Sequence, residues 1–425
     1  MSKESRQRRR LEATAQARKR QRRKWLPWIG CFTLIFGIFI GLKLIPKRSP
    51  SEVVNSRFGT SIPDQPSGFK TPTNYLELCE LSDSALYLCD IALMNLLCAE
   101  GLRGSENLNV KDCLEKLDGI AKYVKGDTER NFHKFKEKPG DYNNSEGYFR
   151  IMMMVTVLQQ DLGVHYNPDR RQIPGTPIQP NQQFFANSQD VFIHGLALKN
   201  GTGTCSSMPV FYVAVGRRLG YPLKLVKAKG HLFVRWEEGE RSFNVESTSI
   251  GFISFQDDYY RTWPAPFTPE EEQSERYLKA MTPAQELAVF LSIRGMCLAA
   301  AGQRMWSLVA FVHAIRKEPE SVGHQLIYQR AEKEALQAGA LTPQQANVLA
   351  VQRLPIPDGP MRQYYFQRRE VLKAQIMSGV PEDDLEMEFR ILRAELLSHA
   401  RRESLKKERN SAGKSSPAMI NSPPR

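Results

Sequence analysis

The sequence predicts an α+β protein, with helices first, then a small antiparallel sheet, then helices again, behind one N-terminal apolar span. Three observations predict it. Apolar residues recur at three- and four-residue spacing between 84 and 163, and helical spacing returns from 268. Between these stretches, 223-LKLVKAKGHLFVRWEEGERSFNVEST-248 places β-type residues around glycine turns and reads as three strands. Helices and antiparallel strands segregated in this way define α+β organisation. Near the start, 25-WLPWIGCFTLIFGIFIGL-42 is uncharged.

That span comes first in the chain. With Leu44 and Ile45 beyond a snorkelling Lys43, residues 25–46 are long enough for one transmembrane helix. No small-residue cleavage site follows, so the span reads as a retained signal-anchor. Gly37 and Gly41 form a GxxxG, for which a bland spacer is the simpler reading than a dimer contact. The chain of 425 residues carries a net charge of +13. Its excess sits in 1–24, just after the span, and in 401–425, and the body between is slightly acidic. Segment 1–24 abuts the span, so its arginines read as a cytoplasmic positive-inside flank rather than an RNA-binding arm. The expected partners therefore include the membrane and exclude nucleic acid. The chain is expected in the cell membrane, single-pass, with its N-terminus cytoplasmic and its main body extracytoplasmic.

Residues 47–72, rich in Ser, Pro and Gly, read as a linker. A domain is expected over 73–265. Helices are predicted at 84–100, at 109–126 with Val110, Cys113, Leu114, Leu117, Ile120 and Val124 on one face, and from Ser145 to Gly163. Met152–Met154 read as core. Cys79, Cys89, Cys98 and Cys113 cluster closely. Outside the membrane they suit one or two disulfides, and otherwise four buried reduced thiols. A helix is expected from Cys205 to about Arg218, closed by Gly220 and Pro222. From 266 to 352 the chain is helical. Within it, 288–321 matches a 34-residue helix-turn-helix repeat, with Leu291, Gly295, Leu298, Phe311, Ala314 and Pro319 at the repeat's offsets. Arg294 and Ser307 stand where the repeat prefers Leu and Ala. One unit cannot bury its own apolar face, so it should pack on the preceding domain. A helical extension over 353–409 and a disordered tail over 410–425 complete the chain.

The chemistry concentrates in 190–250. A helix N-terminus favours a thiolate, and Cys205 is expected to open a helix behind Gly201, Gly203 and Thr204. The glycines would let a substrate backbone approach. A base must reach the sulfur, and 229-KGHLFVRW-236 offers His231 at a strand start. A third group should orient the imidazole. Asn244 and Glu246 share one face of the next strand, and either can be that group. A lone cysteine before an apolar helix is more often a small buried filler, and a lone strand histidine is more often structural. The order Cys, helix, strand, His, strand, acid reverses that balance. His194 is a rival base. The Cys205 backbone N–H would serve an oxyanion, with Gln182, Gln183 or Gln189 as side-chain donors.

These stretches resemble the transglutaminase-like superfamily, papain-like in catalytic logic. The resemblance rests on 201-GTGTCSSMPVFYVAVGRRLGYP-222, 229-KGHLFVRW-236 and 246-EST-248. It is closest to a bacterial branch that joins this core to tetratricopeptide-like helices. It implies Cys205 as nucleophile and His231 as base. The family's Asp falls on Glu246, by the match at Thr248. Asn244 is the alternative third member, as Asn is in papain-like enzymes. The expected activity is a membrane-anchored thiol acyl transfer through a Cys thioester. Hydrolysis of amide or peptide bonds is favoured over crosslinking, because an open cleft admits water. The alternative is a catalytically inactive fold acting with the helical repeat as a protein-protein interaction module. The expected substrate is peptide- or protein-like, and the repeat can hold a protein partner. No cofactor and no metal is expected, since the chain has no C-x-x-C, no H-E-x-x-H and no phosphate loop.

Overall fold

Short polar side chains set most of the helix starts. The computed structural model of the chain describes residues 69–171, 183–198, 201–357, 359, 361–378 and most of 387–402. The expected basic segment 1–24, the span 25–46, nearly all of the linker and the tail 410–425 lie outside the described residues. Among the described residues, no helix is long and apolar enough to cross a membrane.

Helices α1 (Tyr75–Glu80), α2 (Asp83–Leu86) and α3 (Ile91–Ala99) open on Asn74, Ser82 and Asp90, whose side chains accept first-turn N–H groups. The single helix expected over 84–100 is therefore two, because Asp90 caps a new start. Helix α4 (Val110–Glu137) runs well past the expected 126 and buries Cys113, Leu117, Ala121, Val124 and Thr128 in one stripe. Helix α5 (Glu146–Thr156) opens on Ser145 and continues as a π turn over Val157–Asp161. Gly163 closes it at φ +69°.

Two short strands follow, β1 (His165–Tyr166) and β2 (Thr202–Gly203), paired in parallel as His165 with Thr202 and Tyr166 with Gly203. Between them lie α6 (Ser188–Val191) and α7 (His194–Leu198). Helix α8 (Met208–Arg218) is buried along almost its whole length and ends at Gly220, φ +73°. Then comes the expected meander, β3 (Leu223–Ala228), β4 (His231–Glu238) and β5 (Arg241–Val245), antiparallel in the order β3-β4-β5. Both turns are two residues long, with Gly230 and Gly239 at positive φ.

The outer edge of β3 is covered by the chain leading to the next helices. Val226 bridges Ala280, Leu278 N–H donates to Lys227 O and Met281 N–H to Leu225 O. After α9 (Asp257–Thr262) and α10 (Pro269–Ser274), the chain forms α11 (Pro283–Ala300), α12 (Arg304–Lys317), α13 (Val322–Gln337), α14 (Pro343–Gln352) and α15 (Arg362–Met377).

One apolar core joins the parts. Leu97 of α3, Leu117 of α4, Phe211 of α8, Leu225 and Trp236 of the sheet, and Leu287 and Phe290 of α11 belong to a single buried cluster. The boundary expected at 265/266 is thus not a seam in the core. The helix-turn-helix expected over 288–321 is the α11–α12 hairpin, where Gly295 admits the Phe311 ring and a Cβ would stand 2.4 Å from it. Arg294 departs from the repeat pattern because its guanidinium donates to Cys98 O (2.9 Å) and Glu100 O (2.7 Å) at the end of α3. The four clustered cysteines are free thiols, Cys79, Cys98 and Cys113 buried and Cys89 half-buried, which is the reduced alternative.

Candidate active site

Cys205 is half-buried in a turn just ahead of α8. The helix was expected to begin at Cys205 and instead begins at Met208. Thr204 O accepts from Ser207 N–H (3.1 Å) and Met208 N–H (2.9 Å), so the turn already coils in the helical sense. Two hydroxyls fix it, since Thr204 Oγ1 (2.9 Å) and Ser207 Oγ (2.8 Å) both donate to Asp190 O. Gly201 and Gly203 do not open toward a substrate, as the sequence suggested. A Cβ on Gly201 would stand 2.6 Å from Gly163 O, and one on Gly203 2.6 Å from Ser207 Oγ. Gly201 is small because β2 lies against the chain leading into β1, and Gly203 because Ser207 and Leu196 pack on it.

The register of the sheet decides the partner of His231. Val234 pairs with Val245, so Glu246 stands opposite Phe233, and His231 lies two residues further along the same face. The contact is diagonal, and the His231 Nε2–Glu246 Oε2 distance is 2.9 Å. Asn244 shares that face but pairs with Arg235, about 13 Å further along the strand. Its amide accepts from Arg235 Nε (2.7 Å) and donates to Phe255 O (2.9 Å) and Asp257 Oδ1 (2.8 Å). Asn244 therefore does not reach the imidazole. With Nε2 engaged by Glu246, Nδ1 is the nitrogen left to serve Cys205, which stands beside the ring.

Glu246 is buried and accepts four hydrogen bonds. Besides His231, Tyr260 Oη donates to Oε2 (3.1 Å), and Thr248 donates to Oε1 through N–H (3.0 Å) and Oγ1 (2.5 Å). Burial pushes this carboxyl up, but the facing His231 charge and the bonds from His231 and Thr248 outweigh it and hold it below the usual carboxylate range. Burial works against a charged His231. The Glu246 charge, the Cys205 contact and the Glu246 hydrogen bond overcome it and raise the ring to about 9. The Trp263 ring stands edge-on to the imidazole at 4.7 Å. A thiol thus stands beside an imidazole that is hydrogen-bonded to an ionised carboxylate.

Residues 111–291 match the family model of the transglutaminase-like superfamily. This transglutaminase-like domain opens in α4, contains the thiol, the imidazole and the carboxylate, and closes inside α11. No curated protein and no solved structure matches the chain.

The other sequence candidates lie elsewhere in the domain. His194 is buried, and its Nε2 faces Ser188 Oγ at 3.3 Å. Burial pushes it down to about 4, and it is not part of the cavity wall that Cys205 and His231 share. Gln189 donates to Gly104 O (3.0 Å). Gln183 is exposed, and Gln182 lies outside the described residues. Three contributors escaped the sequence reading. Thr248 and Tyr260 hold the carboxylate, and Tyr166, whose hydroxyl donates to Arg170 O (3.3 Å), stands beside Cys205. Thr248 carried a signal in 246-EST-248. Tyr166 and Tyr260 carried none, because the β1–β2 pairing and the packing of α9 on the sheet bring them in. Among the described residues, no group of three or more His, Cys, Asp or Glu side chains is arranged to hold a metal ion.

Proposed function

We propose that the protein is a cysteine-dependent acyl-transfer enzyme that hydrolyses amide bonds of a peptide-like substrate. The observation that carries this reading is the series Cys205, His231, Glu246, with the last two hydrogen-bonded, inside a transglutaminase-like domain. His231 Nδ1 takes the thiol proton, and Cys205 Sγ attacks the carbonyl carbon of the amide. The oxyanion that forms is held by the Cys205 backbone N–H. His231 then protonates the departing nitrogen, the C–N bond breaks, and an amine leaves a thioester on Cys205. Water, giving its proton to His231, attacks that thioester and releases the acid and the thiol. Glu246 stays ionised throughout and holds the ring in register, with Thr248 and Tyr260 behind it.

Iodoacetamide alkylation tests the reading. Burial pushes the thiols of Cys79 and Cys297 up to about 12, and those of Cys89 and Cys113 up to about 11, so they should react slowly. Cys205 is expected to be modified first in the folded protein and to lose that advantage in His231→Ala. A Cys205 that reacts no faster than these four thiols overturns the enzyme and leaves the interaction module.

The same reading places the body outside the membrane, carried by the apolar span at 25–46. Protease added to intact cells is expected to digest residues after 46. Digestion only after lysis would reverse the topology.

A further inference from the structure

Cys205 and His231 open onto a cavity of about 400 Å³. An acyl group attacked by Cys205 must place its own side chain beside the sulfur, and this cavity opens there. Its wall is mostly apolar. Helix α11 contributes Val289, Ile293 and Met296, one stripe at helical spacing. Ile327 of α13 joins them, and Phe184, Phe185 and Leu232 line the cavity from the transglutaminase-like domain. The family match ends at residue 291, so Ile293, Met296 and Ile327 lie beyond it.

Every ionisable side chain but one in the described wall, the nucleophile and Tyr277 aside, is bonded to another group, and that one is His231, which serves Cys205 and is itself bonded to Glu246. Lys227 Nζ donates to both oxygens of Glu318 (2.9 Å each), a residue outside the cavity lining. Glu275 accepts from Ser321 Oγ (2.8 Å) and Gly323 N–H (2.7 Å) and has Lys227 Nζ at 3.8 Å. His324 is engaged at both ring nitrogens, Nδ1 with Ser292 Oγ (2.8 Å) and Nε2 with Glu318 (3.1 Å). No cation or anion of the wall is left over for a charged ligand group. A charge entering here would give up its water without gaining a counter-ion, whereas an apolar group meets apolar wall.

We propose that this cavity binds the side chain on the acyl side of the scissile amide, and that this side chain is large and apolar, leucine-like or phenylalanine-like. Ile293, Met296 and Ile327 are then specificity-determining residues, supplied by the C-terminal helices. The proposal rests on the acyl-transfer reading, and the experiment separates the two. Acyloxymethyl ketone peptides that differ only in the residue next to the ketone (leucine, phenylalanine, glycine, aspartate or lysine) are reacted with the full chain, with iodoacetamide as a side-chain-blind reference. Labelling of Cys205 is read by mass spectrometry. The faster of the leucine and phenylalanine probes is expected to label at least about tenfold faster than the glycine probe, with aspartate and lysine no faster than glycine. Met296→Ala and Ile327→Ala should each lower that apolar-to-glycine ratio severalfold while the iodoacetamide rate holds. Apolar probes no faster than glycine, or an aspartate or lysine probe faster than both, overturn the pocket and leave the enzyme standing. So does a ratio unchanged in both variants. Cys205 inert to every probe, iodoacetamide included, overturns the enzyme and the pocket with it. Ile327 is exposed, so its truncation spares the core, and if Met296→Ala does not fold, the wild-type ratio and Ile327→Ala decide.

Discussion

Glu246 falls where the resemblance expects Asp, and its surroundings show how the longer acid is held. It meets His231 diagonally with one oxygen and Thr248 twice with the other. Glu246→Gln keeps the shape and removes the charge that holds His231 protonated to about 9. Alkylation of Cys205 at neutral pH is expected to slow by roughly a hundredfold, and a rate-pH profile should show the ring titrating nearer its ordinary value. The same pair links stability to pH. The folded-state value of His231, about 9, lies above its ordinary 6.5. Its contribution is complete below about 6.5 and is lost as pH rises through about 9. Denaturation midpoints across that window should fall in the wild type and stay flatter in His231→Ala.

At the scale of elements, the shortest strands carry the most precise task. Strands β1 and β2 pair over two residues each, yet they bring Tyr166 to the thiol and aim the Cys205 turn. Gly201 makes that pairing possible, with φ +62° and Gly163 O where a Cβ would go. Gly201→Ala adds strain and a backbone clash, so it should destabilise by about 1–3 kcal/mol and slow Cys205 alkylation together. A urea midpoint measured beside the alkylation rate checks both. The glycine run looked like room for a substrate. In sequence, a glycine that admits a ligand and one that admits a neighbouring strand are the same letter.

At the scale of the whole described chain, the C-terminal helices are not an appendage. Leu287 and Phe290 of α11 are buried in the core of the transglutaminase-like domain, and Lys227 of β3 is paired with Glu318 just past α12. A chain stopped at 282 should therefore fail to give a soluble folded product, by circular dichroism of the purified protein. Lys227→Met leaves Glu318 buried without its ammonium and should cost about 3–5 kcal/mol of stability, measured by urea denaturation. Full stability in that variant would show that Gln285 and His324 suffice for Glu318.

The sequence by itself determined the α+β order, the α11–α12 hairpin and the three-stranded meander, and it nominated Cys205 and His231 with either Glu246 or Asn244 as third member. These depend on periodicity, caps, turns and spacing, which are local and written in neighbouring letters. The tertiary structure decided among what locality leaves open. The β4–β5 register set Glu246 against His231 and sent Asn244 to Arg235, although both share one face. It placed His194 in a buried niche, brought Tyr166 and Tyr260 to the site from distant segments, and closed the cavity with α11 and α13. Those outcomes depend on how far apart elements come to rest, and that distance is set by the shared core and not by any one stretch of chain.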